Sequence, residues 1–376
     1  MTAPEKPSRT RDAETGQGRA MLTGIRIVEF EGLGPAPFAA MMLAEMGAEV
    51  IVIHRPGAGN PVSGARNLLD RGKRSIVLDI KVSDDLAIAR ALATRADALI
   101  EGLRPGVMER LGLGPEEMHA ANPRLVYGRM TGWGQDGPRA PRAGHDLNYL
   151  ATSGALWYAG APGTPPVTPP TLLGDVGGGA LYLVAGVLAG LIAAARTGRG
   201  TVVDAAIVDG SAHMLALLMS MRASGHLRME RGQSLLDGPH WSRVYRCACG
   251  GWITVQCLEP QFYAEFLERL GLDHDSRFAA QTDPAQWQAQ TGVLADIFAT
   301  EPRAHWEKVF AGSDACVAPV LRPDEAAADP HMAARGVWRE GLAPAPAPRF
   351  DGTARAVADA PERGADGAAI RAELDP

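Results

Sequence analysis

The stretch Gly24–Arg55, GIRIVEFEGLGPAPFAAMMLAEMGAEVIVIHR, decides the fold. GIRIVEF is a short run of β-forming residues, and EGLGPAP breaks it with glycine and proline. FAAMMLAEMG then has helical composition and spacing, and AEVIVIHR is a second β-rich run. Strand, helix, strand is the building block of a parallel sheet covered by helices. Working outward, KRSIVLDI predicts a strand, DDLAIARALATRA a helix, and DALIEGL and RLVYGRM further strands. The alternation runs to about residue 130 and predicts a doubly wound α/β domain.

After TGWGQDGPRAPRAG the rhythm changes. A Gly/Pro-rich loop delivers His145, and GAPGTPPVTPP is a second such loop. Asp175 then precedes a long apolar helix, TVVDAAIVD reads as a strand, and GSAHMLALLMSMRASG is helical. From about Trp241 the pattern shifts. SRVYRCACGGWITVQC predicts a hairpin turning at Gly250 and Gly251, and PQFYAEFLERLG predicts a helix. The expected organisation is a disordered tail over 1–20, a large domain over 21–205, linker helices over 206–240, a smaller α+β domain over 241–338, and a C-terminal arm over 339–376.

Bulk properties exclude several function classes. The 376 residues carry a net charge of −6 with mixed signs, so no electrostatic footprint for nucleic acid is present. Four cysteines in this length make no disulfide framework and fit no familiar zinc spacing, which predicts reduced, mostly buried thiols in a cytoplasmic protein. The polar N-terminal stretch lacks the apolar region of a secretory signal. Val176–Ala195 holds 20 residues without a charge, yet its Gly/Ala content predicts a buried helix of an α/β core and not a membrane insertion.

GLGPAP begins like a dinucleotide-binding turn, but Pro37 takes the last glycine position. A glycine turn at a helix start still offers N–H groups to an anion. Arg55 ends the second strand, where an adenosine ribose or its phosphate commonly lies, so NADP and then CoA come to mind. The plainer alternative is a βα turn with a surface arginine. Arg71, Lys73, Arg74, Arg104 and Arg110 are read as lying on later βα loops, where together they suit a polyphosphorylated ligand and singly read as solvated charges. His145 sits in a glycine-framed loop, and imidazole is a side-chain type suited to taking or giving a proton. Asp175 reads as a helix N-cap that could equally work beside helix N–H groups. Glu259 reads as an ordinary helix-start glutamate. Met214, Met219 and Met221 read as core, or as an adaptable apolar surface.

Taken together, RPGVMERLGLGPEE, RMTGWGQDGP, AGHDLNY, GDVGGG, VVDAAIVDGS and EPQFYA resemble the class III CoA-transferase (CaiB/BaiF) family, and within it the α-methylacyl-CoA racemase branch. The resemblance covers about Leu22 to Phe350, and AGHD carries the branch assignment. It implies a Rossmann-like large domain, a smaller domain, and an interlocked homodimer with sites at the subunit interface. It further implies interconversion of (2R)- and (2S)-2-methylacyl-CoA thioesters through an enolate, with no metal or redox cofactor. His145 and Asp175 would be the bases on opposite faces of the α-carbon, and Glu259 the partner of His145. CoA would be held by Arg55, Leu78, Asp79 and Lys81, by Gly102, Leu103, Arg104 and Arg110, and by Gly144, Asp146, Asn148 and Tyr149. The methionines would line the acyl surface. The segment DGPHWSRVY is slightly shortened, and Cys249 stands where such turns usually carry Asp; both bear on substrate preference.

Three other readings compete. One is a CoA-transferase using Asp175 as nucleophile through an anhydride. Another is an NADP-dependent oxidoreductase, and the third a non-catalytic binder of CoA esters.

Overall fold

The computed structural model describes residues 18–57 and 67–374. The chain divides into two compact units. The first comprises the described residues up to Ala143, Asp175–Ile207 and the segment from Ala343 onward; the second comprises Gly144–Gly174 and Val208–Leu342.

The first unit is built on a six-stranded sheet of β1 (Arg26–Phe30), β2 (Glu49–His54), β3 (Arg74–Val77), β4 (Ala98–Glu101), β5 (Val126–Thr131) and β6 (Thr201–Ala206). Its order is β3-β2-β1-β4-β5-β6 and every pairing is parallel. This is the doubly wound arrangement, whose direction of winding reverses between β1 and β4. Strands such as EVIVIH are apolar on both faces because helices cover both. The covering helices include α1 (Pro35–Glu45), α2 (Ser83–Thr94), α3 (Val107–Arg110) and α4 (Pro115–Ala121). Val28, Ile51, Ile76, Leu99, Tyr127 and, from the far C-terminus, Ile370 meet in one core.

After α5 (Asp146–Ser153), a nine-residue π-helix over Leu172–Ala180 runs directly into α6 (Leu181–Thr197). The expected N-cap role of Asp175 is therefore corrected: it lies inside the helix, in the wider π turn. Helix α6 packs on the sheet through glycine. A Cβ on Gly190 would meet Val126 Cγ1 at 2.7 Å, and one on Gly128 would meet Leu183 Cδ1 at 2.9 Å. The helix Leu172–Thr197 is long and apolar enough to cross a membrane by length and composition. The expectation of a buried helix holds for one face only: Leu183, Val184, Val187 and Ala194 are buried, whereas Leu181 and Ile192 are 42% and 55% exposed. Strand β6 is also shorter than TVVDAAIVD suggests, because Ile207 already begins α7 (Ile207–Met214).

The second unit holds α8 (Ala216–Ser220) and an antiparallel sheet of β7 (Ser242–Arg246), β8 (Trp252–Gln256) and β9 (Val317–Pro319). The expected hairpin forms, with Gly250 at φ +81° in its turn. Helices α9 (Pro260–Leu270), α10 (Trp287–Phe298) and α11 (Arg303–Val309) contribute Phe266, Phe298 and Trp306 to its aromatic core. Tyr245 stacks on Phe298 with ring centroids 5.0 Å apart.

The units divide the chain elsewhere than the sequence reading does, for a visible reason. Trp157 Nε1 donates to the Met229 carbonyl at 2.6 Å, the Tyr158 hydroxyl donates to the Arg228 carbonyl at 3.0 Å, and Arg231 lies over the Trp157 ring. These bonds gather 144–174 and the segment expected as a linker into one body. Of the expected N-terminal tail, residues 1–17 lie outside the described residues. Gly18 fits closely against the backbone of Thr353–Arg355, and Arg19 reaches Asp351 at 3.4 Å.

Candidate active site

Parallel strands deliver their following loops to one edge of the sheet, and α/β ligands bind there near the reversal of winding. Arg55 follows β2, Leu78–Lys81 follows β3, and Gly102–Arg104 follows β4, so these candidate CoA contacts share that edge. Asp175 belongs to it too. Its Oδ2 lies 3.7 Å from where a Cβ on Gly34 would stand, and Gly34, just before α1, has φ +62° and ψ −106°. A Cβ on Gly102 would touch Ala36 Cβ at 3.3 Å; one on Gly179 would touch Met130 Sδ at 3.4 Å and Pro35 Cβ at 3.5 Å. The turn before α1, the end of β5, the Gly102 turn and the π-helix thus converge closely, which is why glycine stands at each approach.

The loop after β4 is held from below. Glu101 Oε2 accepts the Leu103 N–H at 2.7 Å, and its Oε1 accepts from Arg129 Nε at 3.0 Å. Arg129 also donates to Glu109 Oε1 at 2.8 Å. Burial raises the Glu101 pKa above the usual carboxylate value even with these donors present. The Arg110 guanidinium folds back over Gly106. On the neighbouring loop, Asp79 Oδ1 accepts the Lys81 N–H at 3.1 Å, and Leu78 is buried.

The basic cluster read at 71–74 is corrected. Arg71 and Lys73 precede β3 and Arg74 begins it, at the opposite end of the strand from the loop that follows it, and all three are paired with carboxylates. Arg71 Nε donates to Glu45 Oε1, and Arg74 pairs with Glu49 and Glu373, each at 2.6 Å. The Lys73 ammonium is wholly buried, 2.5 Å from Glu29 Oε2, 3.1 Å from the Pro37 carbonyl and 3.7 Å from Asp70 Oδ1. Burial pushes Glu29 up to about 7, which Lys73 only partly offsets.

A second network, absent from the sequence reading, joins the ends of β1 and β2. Glu31 Oε2 accepts the Arg55 N–H at 2.9 Å. Arg363 donates to Glu31 Oε1 at 2.5 Å and Oε2 at 3.2 Å, to His54 Nδ1 at 2.8 Å and to the Arg55 carbonyl at 2.7 Å. Burial works against ionisation of Glu31, but the hydrogen bonds from Arg363 and the Arg55 N–H outweigh it and hold the carboxyl below its usual range. Burial likewise lowers His54, favouring the neutral ring. No local sequence signal announces a partner 332 residues away.

In the second unit, exposed His145 is the N-cap of α5, and its N–H donates to Asn148 Oδ1 at 3.0 Å. The Tyr149 hydroxyl donates to the Gly144 carbonyl, tying the helix back to the loop. Asp146 is buried at 7% exposure and packs where any side chain on Gly174 would stand. The residue after His145 therefore lies against the residue before Asp175. Glu259 is exposed at the N-cap of α9, its carbonyl accepting the Tyr263 N–H at 3.0 Å. Among the described residues no hydrogen bond or ion pair joins Glu259 to His145 within the chain. Met214 ends α7, Met219 lies in α8 and Met221 caps it; none is fully buried. The thiols differ from expectation: Cys247 and Cys257 are buried, but Cys249 and Cys316 are exposed.

Residues 22–367 match the family model for CoA-transferase family III. The chain is 41% identical over 331 residues to the α-methylacyl-CoA racemase of Mus musculus, covering 88% of this chain and 85% of that protein. It is 42% identical over 333 residues to the α-methylacyl-CoA racemase of Homo sapiens, covering 87% and 86%. Among solved structures, a CaiB/BaiF family protein from Brucella suis superimposes with a TM-score of 0.81 at 28% identity, covering 96% of this chain and all of that one.

Proposed function

The chain belongs to CoA-transferase family III, and on that premise we propose that it is a racemase of 2-methylacyl-CoA thioesters. The observation that carries the reading is the identity of 41–42%, over most of both lengths, to two proteins named α-methylacyl-CoA racemase.

In the proposed reaction, neutral His145 removes the α-proton of one epimer, and the electron pair passes into an enolate. Protonated Asp175 returns a proton to the opposite face. The reverse direction exchanges the two roles. Two groups of opposite resting protonation make this possible without a third acid. The enolate oxygen would be met by N–H dipoles near the start of α1, beside which Asp175 stands. CoA would be held along the carboxyl edge of the sheet by Arg55, Asp79, Lys81, Arg104 and Arg110. Glu259 would orient His145 from a partner protomer in a cytoplasmic homodimer. The exposed apolar side chains Leu181 and Ile192 support such a partner.

The test is incubation of a (2S)-2-methylacyl-CoA in heavy water. The expected result is α-deuteration with loss of optical purity, abolished by Asp175→Ala and by His145→Ala. Racemisation at the wild-type rate in either variant refutes the two-base assignment. The transferase alternative predicts instead that hydroxylamine traps an acyl group on Asp175.

A further inference from the structure

We propose that Arg363, on the C-terminal segment, is a positioning residue that frees Arg55 to recognise the phosphate on the adenosine ribose of CoA. This rests on the reading of Arg55 as a contact to the nucleotide end of CoA.

The argument begins with the main chain of Arg55. Its N–H is taken by Glu31 Oε2 at 2.9 Å and its carbonyl by Arg363 Nη2 at 2.7 Å. Its side chain, by contrast, is 69% exposed. The backbone is thus fixed where β2 ends, while the guanidinium faces solvent on the edge where α/β sheets bind nucleotides.

Glu31 is the competitor. Its Oε2 already forms a loose ion pair with Arg55 Nε at 3.8 Å, and a Glu31 carboxylate without another partner would draw the guanidinium in further and cancel its charge. Arg363 prevents this by donating to both carboxylate oxygens in the two-pronged geometry that suits a guanidinium best. Three charges therefore meet at the ends of β1 and β2: one carboxylate bonded at both oxygens by Arg363, and the Arg55 cation held to it only loosely and largely exposed to a ligand. Neutral His54 contributes by accepting from Arg363 at 2.8 Å, which fixes its tautomer with the proton on Nε2 toward Asp70.

Arg363 is itself well anchored. Next to it, the Gly364 N–H donates to Ser75 Oγ at 2.7 Å, the Ser75 N–H donates to Asp366 Oδ2 at 2.8 Å, and Ile370 is fully buried in the sheet's core. A side chain delivered from so fixed a point acts as part of the site's frame.

The experiment measures calorimetric Kd values of the full chain for CoA and for 3′-dephospho-CoA. Wild type is expected to prefer CoA, and Arg55→Ala to lose that preference. Arg363→Gln should lose about tenfold of it, the scale of one charge-assisted hydrogen bond. Adding Arg363→Gln to Arg55→Ala should weaken CoA binding no further. Combining Arg363→Gln with Glu31→Gln should restore the preference, because the competitor has lost its charge. Should Arg363→Gln fail to fold, Arg363→Lys, which keeps the cation but not the fork, should show an intermediate preference. If Arg55→Ala abolishes the preference while Arg363→Gln retains it, or if Glu31→Gln brings no recovery, the role given to Arg363 is wrong. If Arg55→Ala retains the preference, the reading of Arg55 itself fails, and the proposal with it.

Discussion

Replacing Lys73 by methionine removes the cation in direct contact with buried Glu29, and the consequence depends on pH. In the wild type, burial raises Glu29 from the usual 4.5 to about 7. A carboxyl raised in the folded state favours folding while protonated. Its contribution is complete below the unfolded pKa and is lost as pH rises through the folded one. With a folded value of about 7, the wild-type loss amounts to about 3.4 kcal/mol and ends near pH 7. In Lys73→Met the offsetting ammonium at 2.5 Å is gone, so Glu29 must rise further. The two proteins then fall in parallel between pH 4.5 and 7. Above pH 7 the wild-type contribution is flat, whereas the variant continues to lose about 1.4 kcal/mol per pH unit. The gap between them should widen by up to about 2.7 kcal/mol from pH 7 to pH 9, as Glu29 in the variant is forced to ionise without a buried partner. Urea unfolding at pH 6, 7, 8 and 9 measures the gap directly. A gap that stays constant from pH 7 to 9, or that still widens when Glu29→Gln is added, refutes this reasoning.

Two more outcomes follow from the packing of the site. Gly174→Ala would place a methyl 3.1 Å from Leu150 Cγ and 3.2 Å from Asp146 Cγ, and closer still to the Asp146 carboxylate oxygen. Overpacking of this kind costs about 1–3 kcal/mol, so urea unfolding should show that loss, and α-deuterium exchange should fall because the helix carrying His145 must move. Glu101→Gln keeps the shape of the side chain but turns one acceptor into a donor facing the Leu103 N–H or Arg129; CoA binding should weaken by about 1–3 kcal/mol in calorimetry, and an unchanged Kd would mean that Glu101 does not hold the Gly102–Arg104 turn.

The sequence makes the sheet legible because buried parallel strands are written as compact apolar runs such as EVIVIH, and glycine marks the turns between them. The hairpin at Gly250 is equally local. Strand β9 escapes notice because three residues, Val317–Pro319, carry no period of their own and pair only through distant β8. The basic residues at 71–74 mislead for a related reason. A charge in sequence says nothing of whether its partner is water or a carboxylate, and Glu29, Glu45 and Glu49 lie 25 to 44 residues away. Within the candidate site, glycines 34, 102, 174 and 179 stand where turns and helices crowd together, a constraint that GLGP and GDVGGG already hint at. Glu31, Glu101, Arg129 and Arg363 give no such hint, since their roles exist only once strand ends and the C-terminal segment are brought side by side.

The π-helix around Asp175 has a consequence for how rotation is shared along one rod. An α-helix turns 100° per residue, so in an unbroken α-helix the direction of Asp175 would be dictated by the face that α6 presents to the sheet. A π turn holds an extra residue and uncouples the two, and such turns gather at functional sites. Gly177, Gly178 and Gly179, with Ala180, supply backbone thin enough to widen there. Replacing Gly177 and Gly178 by alanine should tighten the segment toward α geometry with no residue lost, leaving α6 seated on β5 and β6 while the faster rotation along the segment swings the carboxylate by roughly a quarter turn away from Gly34. The apolar surface of α6 and the aim of Asp175 can thus change independently, with the glycines acting as a phase shifter between them.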